Sequence, residues 1–407
     1  MMGSVPTPRK ISHMLADIRF PGGTPFRTAR EHAEVLTLIR RLVVSAGVVG
    51  PDLPLVAVTL EPLNGGRSAA RVYKLTPHFG PGRLAKGPPV VIKIASRVQG
   101  LSEKVNYDKY VRRVLPAACR PDLLGFGQTR AFAGLCYSFA GGSDSSGRSR
   151  PSPNTLTDCL RRGDVAALKR VLRGFFDPLR DTWYGPAQLR TVSDIARRYR
   201  DRYFTGLRAM ADAERTLLAC AARYFKARHE NGRCVIGGLS FPSPRATLLA
   251  PDATSGRKRP YRSCILHGDL NSDNIIIADL ANHASGVTVV DFQKTGRGHV
   301  YEDLIHIEES VRINYRRDAS FGDILEKERL IALGRRRFRN DPYCVSIRKI
   351  RDTAFGYFGC VEDETNYHFA IAAIGLRLMQ ALDLTHIARA RITASTLWAT
   401  KVLAGET

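Results

Sequence analysis

One stretch constrains this chain more than any other: CILHGDLNSDNIIIADLANHASGVTVVDFQKTGRG, residues 264 to 298. Two short runs rich in β-branched residues, III at 275–277 and VTVV at 287–290, predict paired strands. Asp269 and Asn274 stand five positions apart in the loop before the first run, and Asp291 closes the second. A hairpin with those ends brings three side chains to one mouth. An amide oxygen from Asn274 and a carboxylate oxygen from Asp291 suit Mg²⁺, which keeps several waters and takes few protein ligands alongside phosphate oxygens. That leaves Asp269 to orient or deprotonate an attacking hydroxyl. The plainer alternative is a turn at HGD and a carboxylate that merely ends a strand.

The chain around this hairpin changes period several times. Residues 28 to 47 carry apolar positions at helical spacing, with a Gly stop and Pro51 soon after. From about 55, the runs LVAVTLEPL, AARVYKLTP and PPVVIKIAS are bounded by Gly or Pro and predict antiparallel strands. A helix follows in SEKVNYDKYVRRVLP, then a strand pair in DLLGFGQTRAFAGLCYSFA. GGSDSSGRSRPSPN, residues 141 to 154, has no periodicity and predicts a linker. Beyond it the pattern is helical apart from the hairpin. The expected class is α+β: an N-terminal helical extension over 1–55, a small antiparallel-sheet lobe over 56–140, the linker, and a larger helical lobe over 155–407.

Composition narrows the function classes. The formal charge of +24 attracts polyanions. Its arginines are nevertheless dispersed among Asp and Glu at helical spacing, as in RRYRDRYFTGLR, and predict solvated faces. No helix-turn-helix, zinc-finger or aromatic RNA-binding pattern accompanies the charge, so nucleic acid is a weaker expectation. The eight cysteines are scattered without a C-x-x-C pair, which argues against a zinc site and a disulfide framework and suits a reducing cytoplasm. No apolar run is long enough to span a membrane, and the N-terminus does not have the form of a signal peptide. His306 and Glu308 stand two apart on a predicted helix and face apart, which speaks against a metal pair.

The stretch HGDLNSDNIII…VTVVDFQKTGRGHVYEDL resembles the motif of aminoglycoside and choline phosphotransferases, a group with the protein-kinase fold. HGD stands where protein kinases have HRD, and Asp303-Leu304 follow Asp291 by about a dozen positions, as that group has it. Gln293 departs from the Gly of protein kinases at a position that varies in the group. The resemblance covers about 56 to 312 and implies a bilobal, protein-kinase-like fold. It also implies a phosphate-covering loop, for which Gly65 and Gly66 are the candidates, although they do not complete a G-x-G-x-x-G and equally suit a plain hairpin turn. It implies a strand lysine on the nucleotide phosphates, here Lys93, and a helix glutamate holding it, here Glu103, ten residues on. A first-turn Glu favoured by the helix dipole is the competing account of Glu103. Ser138, Phe139 and Ala140 fall where the hinge backbone would meet adenine. His267 and Asp303 would support the catalytic loop. The text VVDFQKTGRGHVYEDLIHIEESV further resembles kinase-like, ternary-complex-associated domains of bacterial conflict systems.

The expected activity is therefore ATP- and Mg²⁺-dependent transfer of the γ-phosphate to a hydroxyl of a small molecule or protein, with Asp269 catalytic and Asn274 and Asp291 on the metal. The competing expectation is a catalytically weak kinase-like binding or scaffold module with a protein partner. The Arg-rich helical lobe hints at an anionic or protein acceptor over a cationic one.

Overall fold

The computed structural model describes residues 17–21, 23, 26, 28–48, 54–63, 70–80, 85–140, 154–180, 182–185, 188–191, 195–250, 260–277, 286–315, 320–334, 340–358 and 364–406. Most of the expected linker, 141–153, lies outside the described residues, as do Gly65 and Gly66. The chain forms two compact units: residues 1–154 with 275–295, and residues 155–274 with 296–407.

In the first unit a sheet runs β1 (Asp17–Arg19), β2 (Leu55–Pro62), β3 (Arg71–Phe79), β5 (Val90–Ser96), β7 (Phe132–Ser138) and β6 (Leu123–Gln128), with the short β4 (Ala85–Lys86) on β3. All pairs are antiparallel except β1 with β2. Alternation along β5 and β7 gives the sheet two different faces. Ile92, Ile94 and Cys136 face a core closed by Val35, Leu38, Ile39, Leu42 and Val43 of helix α1 (Ala29–Ser45). Each such fully buried aliphatic side chain contributes about 2 kcal/mol. The sequence pattern set residues 1–55 apart as an extension, but α1 is a wall of this core. Glycine makes that approach possible, because a Cβ on Gly134 of β7 would stand 2.6 Å from Leu42 Cδ1.

The opposite face of β7 receives helix α2 (Arg97–Asn106), whose Gly100 packs so closely that a Cβ there would lie 2.6 Å from that of Ala133. This helix starts five residues earlier than its apolar spacing predicts. Ser96 caps it, its Oγ accepting the Gln99 N–H at 3.4 Å and donating to Gln99 Oε1 at 2.9 Å. The S-x-x-Q pattern of a capping box was the signal. The helix then widens into a π-helical turn over Tyr107–Val111. The hairpin of β8 (Ile275–Ile277) and β9 (Val287–Val289) clusters with this unit, although the sequence pattern assigned it to the helical lobe.

The second unit is mainly helical: α3 (Leu156–Arg162), α4 (Val165–Leu179), α5 (Ile195–Tyr203), α6 (Leu207–Phe225), α7 (Pro244–Leu249), α8 (Glu302–Asn314), α9 (Phe321–Ala332), α10 (Pro342–Phe358), α11 (Glu364–Leu378) and α12 (His386–Leu403). Small sheets join the strand Pro260–Leu266 to Gln188–Thr191 and Gly296–His299, and form a meander over residues 228–241. Helix α8 lies at the centre, buried from Glu302 through Arg312. Both tryptophans are core residues, with Trp183 and Trp398 almost wholly buried. Among the described residues, no helix is long and apolar enough to cross a membrane.

Candidate functional site

The polar face of β5 and β7 carries the first group of candidate residues. Lys93 points away from the α1 core and is buried; its Nζ lies 2.7 Å from Glu103 Oε2 and 2.8 Å from Asp291 Oδ1. Burial alone would lower the Lys93 pKa, yet the two carboxylates outweigh it and hold the ammonium above its usual range. Glu103 sits beyond the first turn of α2, so the macrodipole does not account for it. Tyr137, two positions from Leu135, the cross-strand neighbour of Lys93, lies on the same sheet face and donates its hydroxyl to Glu103 Oε1 at 2.9 Å. Glu103 is thereby satisfied from both sides, as a buried carboxylate must be.

Asp291 follows β9 with φ 71° and ψ 70°, in the left-handed region. That backbone costs a non-glycine residue about 1 kcal/mol, and Asp and Asn tolerate it best. Such strain persists where its surroundings over-determine it and clusters at functional sites. Here the surroundings are visible. Asn106 at the end of α2 donates to the carbonyls of Gln293 at 2.7 Å and Phe292 at 3.4 Å, and the Phe292 ring meets Tyr107 edge-on. The helix that carries Glu103 thus also holds the segment that presents Asp291.

The second unit holds the HGD loop. Gly268 adopts φ 78°, a turn that a Cβ would strain. The backbone N–H groups of His267 and Gly268 both donate to the buried Asp303 carboxylate at 2.8 Å, and Tyr184 adds its hydroxyl at 3.1 Å. Arg202 of α5 donates to the Gly268 carbonyl at 3.2 Å and is itself ion-paired to Glu302. After the turn, the Asp269 carbonyl accepts from the Asn271 N–H at 2.7 Å and from Asn274 Nδ2 at 2.9 Å. The Asn274 amide oxygen remains as its acceptor. Asp273 is a turn residue whose carboxylate accepts from Thr157 at 2.6 Å. His306 and Glu308 have separate partners, Tyr203 for one and Arg312, Arg351 and Tyr367 for the other.

The structure therefore brings Lys93, Glu103 and Asp291 together in the first unit, and Asp269 and Asn274 together in the second. At the hinge position, Ser138 spends its N–H on the Asp122 carbonyl at 2.9 Å and its Oγ on the Asp122 N–H at 2.8 Å. Of the three expected hinge residues, Phe139 and Ala140 lie past that pairing. Tyr137, Asn106, Tyr184 and Arg202 were not singled out from the sequence. Nothing in the residues flanking each of them signals the distant group it meets.

A strand lysine ion-paired to a glutamate on the helix that follows, in a mostly antiparallel sheet, is the small-lobe arrangement of the protein-kinase-like fold. That is the class this chain falls in. Residues 200–357 match the family model described as ternary complex associated domain 9, a span that contains the VVDFQKTGRGHVYEDLIHIEESV stretch. No curated protein matches the chain. Among solved structures, an aminoglycoside phosphotransferase of Streptomyces rimosus is 17% identical with a TM-score of 0.40, over 89% of this chain and 98% of that one. An ethanolamine kinase of Plasmodium vivax is 10% identical with a TM-score of 0.40, over 95% and 93%. An aminoglycoside phosphotransferase complexed with GDP and kanamycin is 12% identical with a TM-score of 0.42, over 89% and 97%. At those scores and identities the likenesses carry nothing about activity, nucleotide or acceptor.

Proposed function

We propose that the chain is an ATP- and Mg²⁺-dependent phosphotransferase that moves the γ-phosphate to a hydroxyl acceptor. The single observation behind this is the buried Lys93 ammonium held between Glu103 and Asp291. A buried cation needs compensating charge, and one aimed by two carboxylates is suited to nucleotide phosphates. Asn274 and Asp291 supply hard oxygen donors, one amide and one carboxylate, which fit Mg²⁺. Bound there, Mg²⁺ would neutralise charge on the transferring phosphoryl group. Asp291 has Oδ1 on Lys93 and would hold the ion through its carboxylate beside that pair. Asp269 orients the acceptor hydroxyl and takes its proton, and the Asp303 clamp on the HGD backbone keeps that carboxylate in register. Positioning and fixed charge supply the catalysis.

The acceptor is a small molecule or a protein. The match to a ternary complex associated domain favours a second reading, a kinase-like module that binds protein partners with little turnover. Transfer of labelled γ-phosphate from ATP, by the purified protein alone and with a cell lysate, separates the two. The phosphotransferase gives a labelled product that is reduced at least a hundredfold in Asp269→Asn. Transfer at the wild-type rate in that variant removes Asp269 as the base, and absence of any transfer favours the binding module.

A further inference from the structure

A groove in the first unit is lined by none of the residues proposed above for phosphate transfer. It measures about 700 Å³ and is walled by Glu34, Thr37 and Arg41 of α1, by Thr129 and Arg130 at the β6–β7 turn, and by Arg97, the first residue of α2. It is a broad groove open to solvent, larger than a single ion needs. We infer that this groove binds an acidic peptide segment of a protein partner, with its carboxylates on Arg41, Arg97 and Arg130.

Three arginines line this one groove, and part of the cost of ordering them is met in advance. Arg41 is anchored by donating to the Gln128 carbonyl at 2.6 Å, and Arg97 is fixed at its backbone by a 2.9 Å bond from its N–H to the Ala131 carbonyl. The Arg97 and Arg130 side chains are exposed and make no ion pair among the described residues. The one acidic wall residue, Glu34, is already engaged by the Ala131 N–H at 3.1 Å and by Arg30 at 3.6 Å. The groove is therefore a net cationic surface with planar, bidentate donors, which match carboxylates. Val98, next in sequence to Arg97, is 79% exposed and offers an apolar neighbour to such a segment. Nucleic acid fits less well. Single strands are held by aromatic stacking along a basic track, and none of the groove's lining residues is aromatic.

The site is testable with fluorescein-labelled octaglutamate and the full chain, read by fluorescence anisotropy. Binding by the wild type is expected to weaken at least tenfold in Arg97→Gln/Arg130→Gln. It should change less than twofold in Arg215→Gln/Arg228→Gln, which removes two exposed arginines from the second unit and the same net charge. Matched circular dichroism melts show that both variants are folded. A second readout is amide hydrogen exchange, which octaglutamate is expected to slow over α2. Equal losses in the two double variants would assign the binding to bulk charge and overturn the site. Failure of the wild type to bind octaglutamate, or tighter binding of an oligothymidine of eight nucleotides, would overturn it as well.

Discussion

Asp291 shows how much one residue is asked to do. It ends a strand, accepts the Lys93 ammonium and tolerates a left-handed backbone. Replacing it tests the metal assignment only if the backbone is spared, so Asp291→Gly is the informative change. Mg-ATP affinity in that variant, measured by calorimetry, is expected to fall at least tenfold, and undiminished affinity would remove Asp291 from the metal site. A second residue, Glu309 of α8, makes a pH prediction. It shares Arg312 with Glu308 and Glu328, at 2.9, 2.7 and 3.0 Å, and among the described residues these three carboxylates ion-pair with Arg312 and Arg351. The surplus negative charge is removed at Glu309, where burial first and then the neighbouring carboxylates push the pKa from 4.5 up to about 8. Its Oε2 is buried without a hydrogen-bond partner among the described residues, as suits a carboxyl that keeps its proton. Glu308, though buried, is held at about 2 by Arg351 and Arg312. A raised carboxyl binds a proton in the folded chain that the unfolded chain has released. Its stabilisation is therefore complete below 4.5 and is lost as pH rises through 8. Thermal melts of the wild type should fall progressively between pH 4.5 and 8 and level off above that, and those of Glu309→Gln should lack this fall.

Helix α2 decides whether the Lys93 site exists. Its capping at Ser96, its seat on β7 through Gly100 and its Asn106 bonds to the Phe292–Gln293 carbonyls fix Glu103 at three heights. Helix propensity alone says that Gly100→Ala should stabilise by about 1 kcal/mol. The opposite sign is expected, because the new Cβ would come 2.6 Å from Ala133 Cβ and 3.3 Å from its carbonyl oxygen. Overpacking of that kind costs about 1–3 kcal/mol. A lowered melting temperature in Gly100→Ala, restored in Gly100→Ala/Ala133→Gly, would bear this out, and a raised one would refute the packing account. The helix also marks where sequence patterns stop being legible. Its apolar spacing located it but placed its start near Ser102, because Ser96 reads equally well as the last residue of a strand.

Two compact units share this chain, and the first is not contiguous. Residues 275–295 belong to it, carrying Asp291, Phe292 and Gln293. A fragment of residues 1–154 would therefore lack one carboxylate on Lys93 and the Phe292 ring against Tyr107. That fragment is expected to melt at least about 5 °C lower and less cooperatively than the first unit within the full chain, followed by circular dichroism or by hydrogen exchange. An equally sharp transition at the same temperature would show that the hairpin adds nothing.

Period and residue type were enough to predict the strands, the α+β class and Asp269, Asn274 and Asp291 as candidates, because these are properties of neighbours in the chain, while Lys93 and Glu103 were named only through the family resemblance. Partners far apart in sequence were not legible. Lys93 meets Asp291 across 198 positions, and Asp303 reaches back 36 to the His267 N–H. Only the folded chain seated α1 on the sheet, where the pattern suggested an extension, and moved the 275–295 hairpin into the first unit. It also turned Asp291 into a left-handed residue and put Tyr137 behind Glu103. A buried polar group is stable only when its partners arrive, and which partners arrive is set by how the strands and helices stack.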